Sequence, residues 1–140
     1  MSIETNKQII HRFTEEVLNQ GSMATLEEVC AADLLNHNPP PGLPGTREGL
    51  KMFVMGQRAS FPDMQVMIED VIAEGDKVVL RYVARGTHQG PFAGVPPTGK
   101  QVSVAGINIY RLADDKIVEA WAERDTLGML QQLGVVPSAG

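Results

Sequence analysis

The feature that most constrains this chain is a change in the spacing of its apolar residues near Met64. Before that point they recur every three or four positions, as on one face of a helix; after it they alternate, as on one face of a strand. A segment cannot serve both periods, so helices come first and strands follow. That order predicts an α+β domain whose helices cover one face of an antiparallel sheet.

In the first half, residues 4–20 carry Ile10, Phe13 and Val17 at helical spacing, with Thr5 as a cap and Gly21 as the stop. A second helix is expected over 25–35, with Leu26, Val29 and Cys30 inward, ending at Asn36-His37-Asn38. The proline-rich residues 39–44 exclude regular structure. Thr46 then caps a third helix to about residue 61, with Leu50, Phe53 and Val54 on one face and Pro62 after it.

In the second half, strands are expected over 64–74 and 77–88 around a Gly75-Asp76 turn, over 100–112 after a loop rich in glycine and proline, and over 117–124 after Asp114-Asp115. A short helix, 126–133, ends at Gly134. No repeat, low-complexity tract or linker interrupts the 140 residues, which predicts one domain over 1–140.

Composition narrows the function classes. With 43% hydrophobic and 21% charged residues the chain reads as globular, and a net charge of −5 opposes a nucleic-acid partner. The first residues, MSIETNKQIIHRF, have no apolar run of signal-peptide length, so a cytoplasmic protein without a membrane partner is expected. Cys30 is the only cysteine and reads as a small buried hydrophobe. No H-x-x-x-H, H-E-x-x-H or clustered Cys/His spacing points to a metal.

Candidate site residues follow from the strand period. Trp121, Glu123 and Asp125 occupy every second position and so share a face. If that face lines a hollow, Trp121 is a wall, and Glu123 either shares a proton with Asp125 or pairs with Arg111 or Arg85. Asp125 has two readings: an acid/base raised in pKa by apolar neighbours, or the N-cap of the last helix. His88 falls on the face of Leu80 and Tyr82, where it polarises a carbonyl, bonds Asp125, or ties down the glycine loop. Phe92 and Val95 of that loop can close over an apolar ligand. Asn108 and Tyr110 offer polar contacts. The opposite row, Val79, Val83, Ala105, Ile107 and Ile109, faces outward and predicts a homodimer or homotetramer.

The runs GTHQGPFAGVPPTGK (86–100) and GINIYRLADDKIVEAWAERDTLGMLQQLG (106–134) resemble the SnoaL-like polyketide cyclase and ester cyclase family of the nuclear-transport-factor-two-like superfamily. The helical half agrees in layout. The resemblance implies a conical α+β barrel around an apolar pocket. The activity it implies is an intramolecular aldol condensation on a small hydrophobic carbonyl compound, without metal or cofactor, with the aspartate of W-x-x-x-D, here Asp125, as acid/base. His37 matches the family's histidine near the end of the second helix, as a pocket donor or a charge partner of the helix end. Where members commonly carry a histidine before the tryptophan, this chain has Ala120. The expected function is thus a cofactor-independent cyclase of lyase or isomerase type. The alternatives are a non-catalytic binding protein for a hydrophobic metabolite and, on the same scaffold, an epoxide hydrolase or cofactor-free hydroxylase.

Overall fold

The computed structural model describes residues 2–137. Helix α1, Ile3–Arg12, starts at Ser2, whose Oγ accepts from the Thr5 N–H, and runs on into a wider π-helical turn, Phe13–Leu18. Ile10, Phe13 and Val17 are all buried, as their spacing predicts. Ser22 caps α2, Met23–Val29, and Thr46 caps α3, Arg47–Ser60, by accepting from the Gly49 N–H.

Residues 30–35, expected to be helical, form a strand instead. β1, Cys30–Asn36, lies parallel to the last strand and occupies its free edge. The stretch is rich in good helix formers, Ala31, Ala32, Leu34 and Leu35, but the ladder contacts of an otherwise unpaired edge outweigh that preference.

The remaining strands are β2, Gln65–Glu74, β3, Lys77–Thr87, β4, Gln101–Ala113, and β5, Lys116–Arg124, followed by α4, Thr126–Gln132. Their order in the sheet is β1-β5-β4-β3-β2, with β1 and β2 as open edges, so the curved sheet does not close. Val78, Leu80, Tyr82 and Ala84 of β3, with Val102, Val104, Tyr110 and Leu112 of β4, face the helices. Together with Ile10, Phe13, Leu26 and Phe61 they form the core. Burying each large side chain contributes roughly 1.5–3 kcal/mol.

One residue decides which face of β5 is inner. Asp114 and Asp115 both have positive φ (52° and 61°), as a tight two-residue hairpin turn requires. A regular hairpin from that turn pairs Leu112 with Ile117, and then Asn108 with Trp121 and Gly106 with Glu123. The structure keeps Leu112↔Ile117 but next pairs Arg111 with Glu119, leaving Val118 as an extra residue. This bulge shifts the phase by one, and a one-residue slip turns every later side chain to the other face. Ile109 therefore pairs with Trp121 and Ile107 with Glu123, on the outer side, while Ala120, Ala122 and Arg124 look inward.

Candidate active site

The expected row Trp121, Glu123 and Asp125 does not line the interior. Trp121 stacks on His37, ring centroids 4.6 Å apart and planes 4° from parallel. His37 Nε2 is 2.6 Å from Glu119 Oε2, and the other Glu119 oxygen takes the Arg111 guanidinium. His37 follows a strand rather than a helix, and its N–H bonds the Ala120 carbonyl, so it is neither a pocket donor nor a helix-end partner. Glu123 is exposed and accepts from Asn38 Nδ2 at 3.1 Å, not from Arg111 or Arg85. The Asn38 side chain also bonds the Ala122 backbone through both its amide groups, extending the ladder beyond the end of β1. Hydrogen bonds from His37 and then Arg111 hold the Glu119 carboxyl below its usual 4.5.

Asp125 lies past the end of β5 and is exposed. Its Oδ1 accepts from the Gly128 N–H at 2.8 Å, which is the capping role. The carboxylate lies so close over Gly128 that a Cβ there would sit 2.2 Å from Oδ2. The expectation of a carboxylate enclosed by apolar side chains is corrected: the bulge at Val118 and the start of α4 together carry it outward.

His88 is fully buried beside Phe61, centroids 5.4 Å apart. Its Nδ1 accepts from the Thr98 N–H at 3.2 Å and lies 3.0 Å from Thr98 Oγ1, so the ring fastens the 89–99 loop. Accepting at Nδ1 leaves the proton of the neutral ring on Nε2, which has no hydrogen-bond partner among the described residues. Phe92 packs edge-on against Phe61 at 5.5 Å, and its backbone bonds Val95 in both directions. The loop tip is thus pinned to the core.

Tyr82 and Asn108 do face inward as expected. The Tyr82 phenol lies across Gly106, its Oη 2.3 Å from where a Cβ would stand. Burial raises its pKa, and Arg124 opposes the rise. Asn108 Nδ2 donates to Tyr110 Oη at 2.9 Å, while Asn108 Oδ1 is buried without a hydrogen-bond partner among the described residues. Burial likewise raises the Tyr110 pKa.

The sequence reading passed over Arg124, which pairs with Gly106 across the ladder and sets its guanidinium 5.0 Å from the centre of the Phe53 ring. The signal available was the run of small residues at alternate positions, Ala120 and Ala122, ending in a long cation.

Two open grooves, of about 510 and 440 Å³, lie over the ends of β2 to β4 and between α1 and the β2 edge. Neither contains an expected site residue. Among the described residues no three His, Cys, Asp or Glu side chains are placed to hold a metal ion, and no helix is long and apolar enough to cross a membrane.

Comparison with known proteins agrees with this architecture. The chain is 32% identical over 121 residues to the nogalonic acid methyl ester cyclase of Streptomyces nogalater, covering 83% of this chain and 88% of the relative. IdmH of Streptomyces antibioticus, described as a candidate polyketide cyclase, superposes with a TM-score of 0.82 at 40% identity, over 93% of this chain and 99% of IdmH. AclR of Streptomyces galilaeus, described as a candidate hydroxylase, gives 0.86 at 27% identity, over 99% and 91%. The profile of the SnoaL-like polyketide cyclases matches residues 8–133, and the chain belongs to that family.

Proposed function

We propose that this protein closes a ring in a polyketide-derived carbonyl compound by intramolecular aldol addition, on the inner side of the sheet and without a cofactor. The reading is supported by family membership together with one observation: the inner wall carries Tyr82 and Asn108 beside residues with little or no side chain, Gly106, Ala120 and Ala122. Such a wall offers the Tyr82 hydroxyl as a donor to a carbonyl oxygen and Asn108 Oδ1 as an acceptor to a hydroxyl.

In the step itself, a C–H flanked by two carbonyls loses its proton to a carboxylate. The electron pair delocalises onto oxygen, and the resulting enolate carbon bonds to a second carbonyl carbon. The proton then returns to the new alkoxide. Asp125 is the carboxylate proposed for this exchange: it follows Arg124 directly, its Oδ2 makes no hydrogen bond among the described residues, and, being exposed past the end of β5, it would meet the substrate at the rim of the inner side rather than within it. Carboxylates in water are weak bases, so the step needs another group to stabilise the enolate oxygen.

Asp125→Asn separates catalysis from capping, since Asn caps helices as well as Asp but cannot take a proton. With nogalonic acid methyl ester as the test compound, ring closure followed by absorbance should slow by about 10²–10⁴-fold with the melting temperature unchanged. A variant as fast as the parent removes Asp125 from the mechanism. The exposure of Asp125 favours a second reading, a protein that binds such a compound without converting it. Tight binding of the ester with no turnover by the parent protein identifies that case.

A further inference from the structure

Arg124 is a largely buried cation that the cyclisation reading leaves unused. Arg12, Arg81 and Arg111 each meet a carboxylate, and Arg47 and Arg58 reach backbone carbonyls. The Arg124 guanidinium has no hydrogen-bond or ion-pair partner among the described residues. Its neighbours are the Phe53 ring and, across Gly106, the Tyr82 phenol. Burial lowers its pKa below the ordinary guanidinium value, the sign expected of a cation short of both water and counter-charge.

Such a cation is costly to hold unless something arrives to pair with it. The surroundings favour a visitor. Gly106 lets the Tyr82 phenol lie across the strand toward the guanidinium, Ala122 beside it has only a methyl group, and Phe53 backs it with the face of an aromatic ring. The Tyr82 hydroxyl makes no hydrogen bond among the described residues and is an available second donor. A guanidinium presents its N–H donors in a planar fork that fits the oxygens of a carboxylate or an enolate.

We infer that Arg124, with Tyr82 Oη as second donor, is the receptor for an oxyanion carried by the substrate. The inference rests on the cyclisation reading and supplies what that reading lacks. Two carriers share this chemistry. A free carboxylate is charged before reaction, and Arg124 then anchors an acid. An enolate acquires its charge when the C–H electrons move onto oxygen, and Arg124 then stabilises that charge as it develops, which lets a weak base suffice.

The test uses the full chain and three probes: 2-naphthoate, its methyl ester, and the diketone benzoylacetone. Calorimetric titration should show 2-naphthoate binding roughly tenfold or more tighter than the ester. Arg124→Gln should erase that preference and leave ester affinity unchanged. For the enolate, bound benzoylacetone should ionise, by ultraviolet titration, about one pH unit or more lower on the parent than on Arg124→Gln. Either result supports the receptor, and the assay that responds names the carrier. Arg124→Lys keeps the charge without the fork and should retain part of the effect; it substitutes for the Gln variant if that fails to fold. A parent protein indifferent to charge in both assays, or a preference untouched by the substitutions, overturns the inference. Failure of the underlying reading looks different, because the ester and the diketone then bind to neither parent nor variant, and the receptor falls with it.

Discussion

The two faces of the β4–β5 ladder treat polar side chains in opposite ways. On the outer face, His37, Trp121, Glu119, Arg111, Asn38 and Glu123 form a set in which each member meets another, by stacking, ion pair or hydrogen bond. On the inner face, among the described residues, Arg124 has no hydrogen-bond or ion-pair partner, Asn108 Oδ1 is buried unpaired, and the Tyr82 hydroxyl makes no hydrogen bond. A satisfied network holds structure together and has nothing left to offer a ligand. The incomplete face is where a substrate can contribute what is missing. Counting carboxylates along the strand points to the first face, and asking which polar groups are unmatched points to the second.

The comparison breaks most severely at Val118. Deleting it removes the bulge and restores the regular hairpin register, so Trp121 and Glu123 turn toward the core while Ala120 and Ala122 turn to solvent. The charge of Glu123 would then be buried without a partner, and the contacts of Glu119 with His37 and Arg111 would be lost together. The expected cost is more than about 4 kcal/mol, enough to abolish folding. Far-ultraviolet circular dichroism of the deletion variant checks this. A native spectrum with an unchanged melting temperature would show that the bulge does not set the two faces.

That same bulge explains what the sequence hid. The Thr46 cap, the long strands and the tight turns were legible because each rests on local chemistry. So was the outward row Val79, Val83, Ala105, Ile107 and Ile109, which lies ahead of the bulge. Alternation counted through Val118 as though the ladder were regular gives the wrong phase for everything after it, which is why Trp121 and Glu123 were expected inside and Arg124 was passed over. β1 was hidden for another reason: Ala31, Ala32, Leu34 and Leu35 favour a helix locally, and only the edge of β5, nearly ninety residues on, makes them a strand. The Asp125 cap was legible as one of two readings, and the choice between them depended on a register that no local signal carries.

Gly106 tests the inner face alone. An added Cβ would lie 2.3 Å from Tyr82 Oη and 2.4 Å from its Cζ, and the ring is buried, so Gly106→Ala must push the phenol out of place. The expected loss is about 1–3 kcal/mol in urea denaturation, the usual range for overpacking, together with weaker binding of the naphthoate probe. Unchanged stability would mean that the ring has room to move and that its position over the glycine is not fixed.

Glu119 tests the outer face, with the smallest effect of the three. Its carboxyl has a lower pKa in the folded protein than in the unfolded chain, because His37 and Arg111 bond the charged form. A depressed carboxyl pKa means that the unfolded state binds the proton more readily, so stability from this group is fully present above about pH 4.5 and fades as pH falls through the folded value. Glu119→Gln has no charge to lose. The melting-temperature gap between parent and variant should therefore be narrower at about pH 3 than at about pH 5. Because Glu119 is held on the outer face, the same substitution should leave naphthoate and ester binding unaltered. A gap that persists undiminished to pH 3 would mean that the ion pairs of Glu119 do not stabilise the fold. A change in ligand affinity would mean that the two faces are not independent, and the division between a satisfied outer network and an unfilled inner site would have to be redrawn.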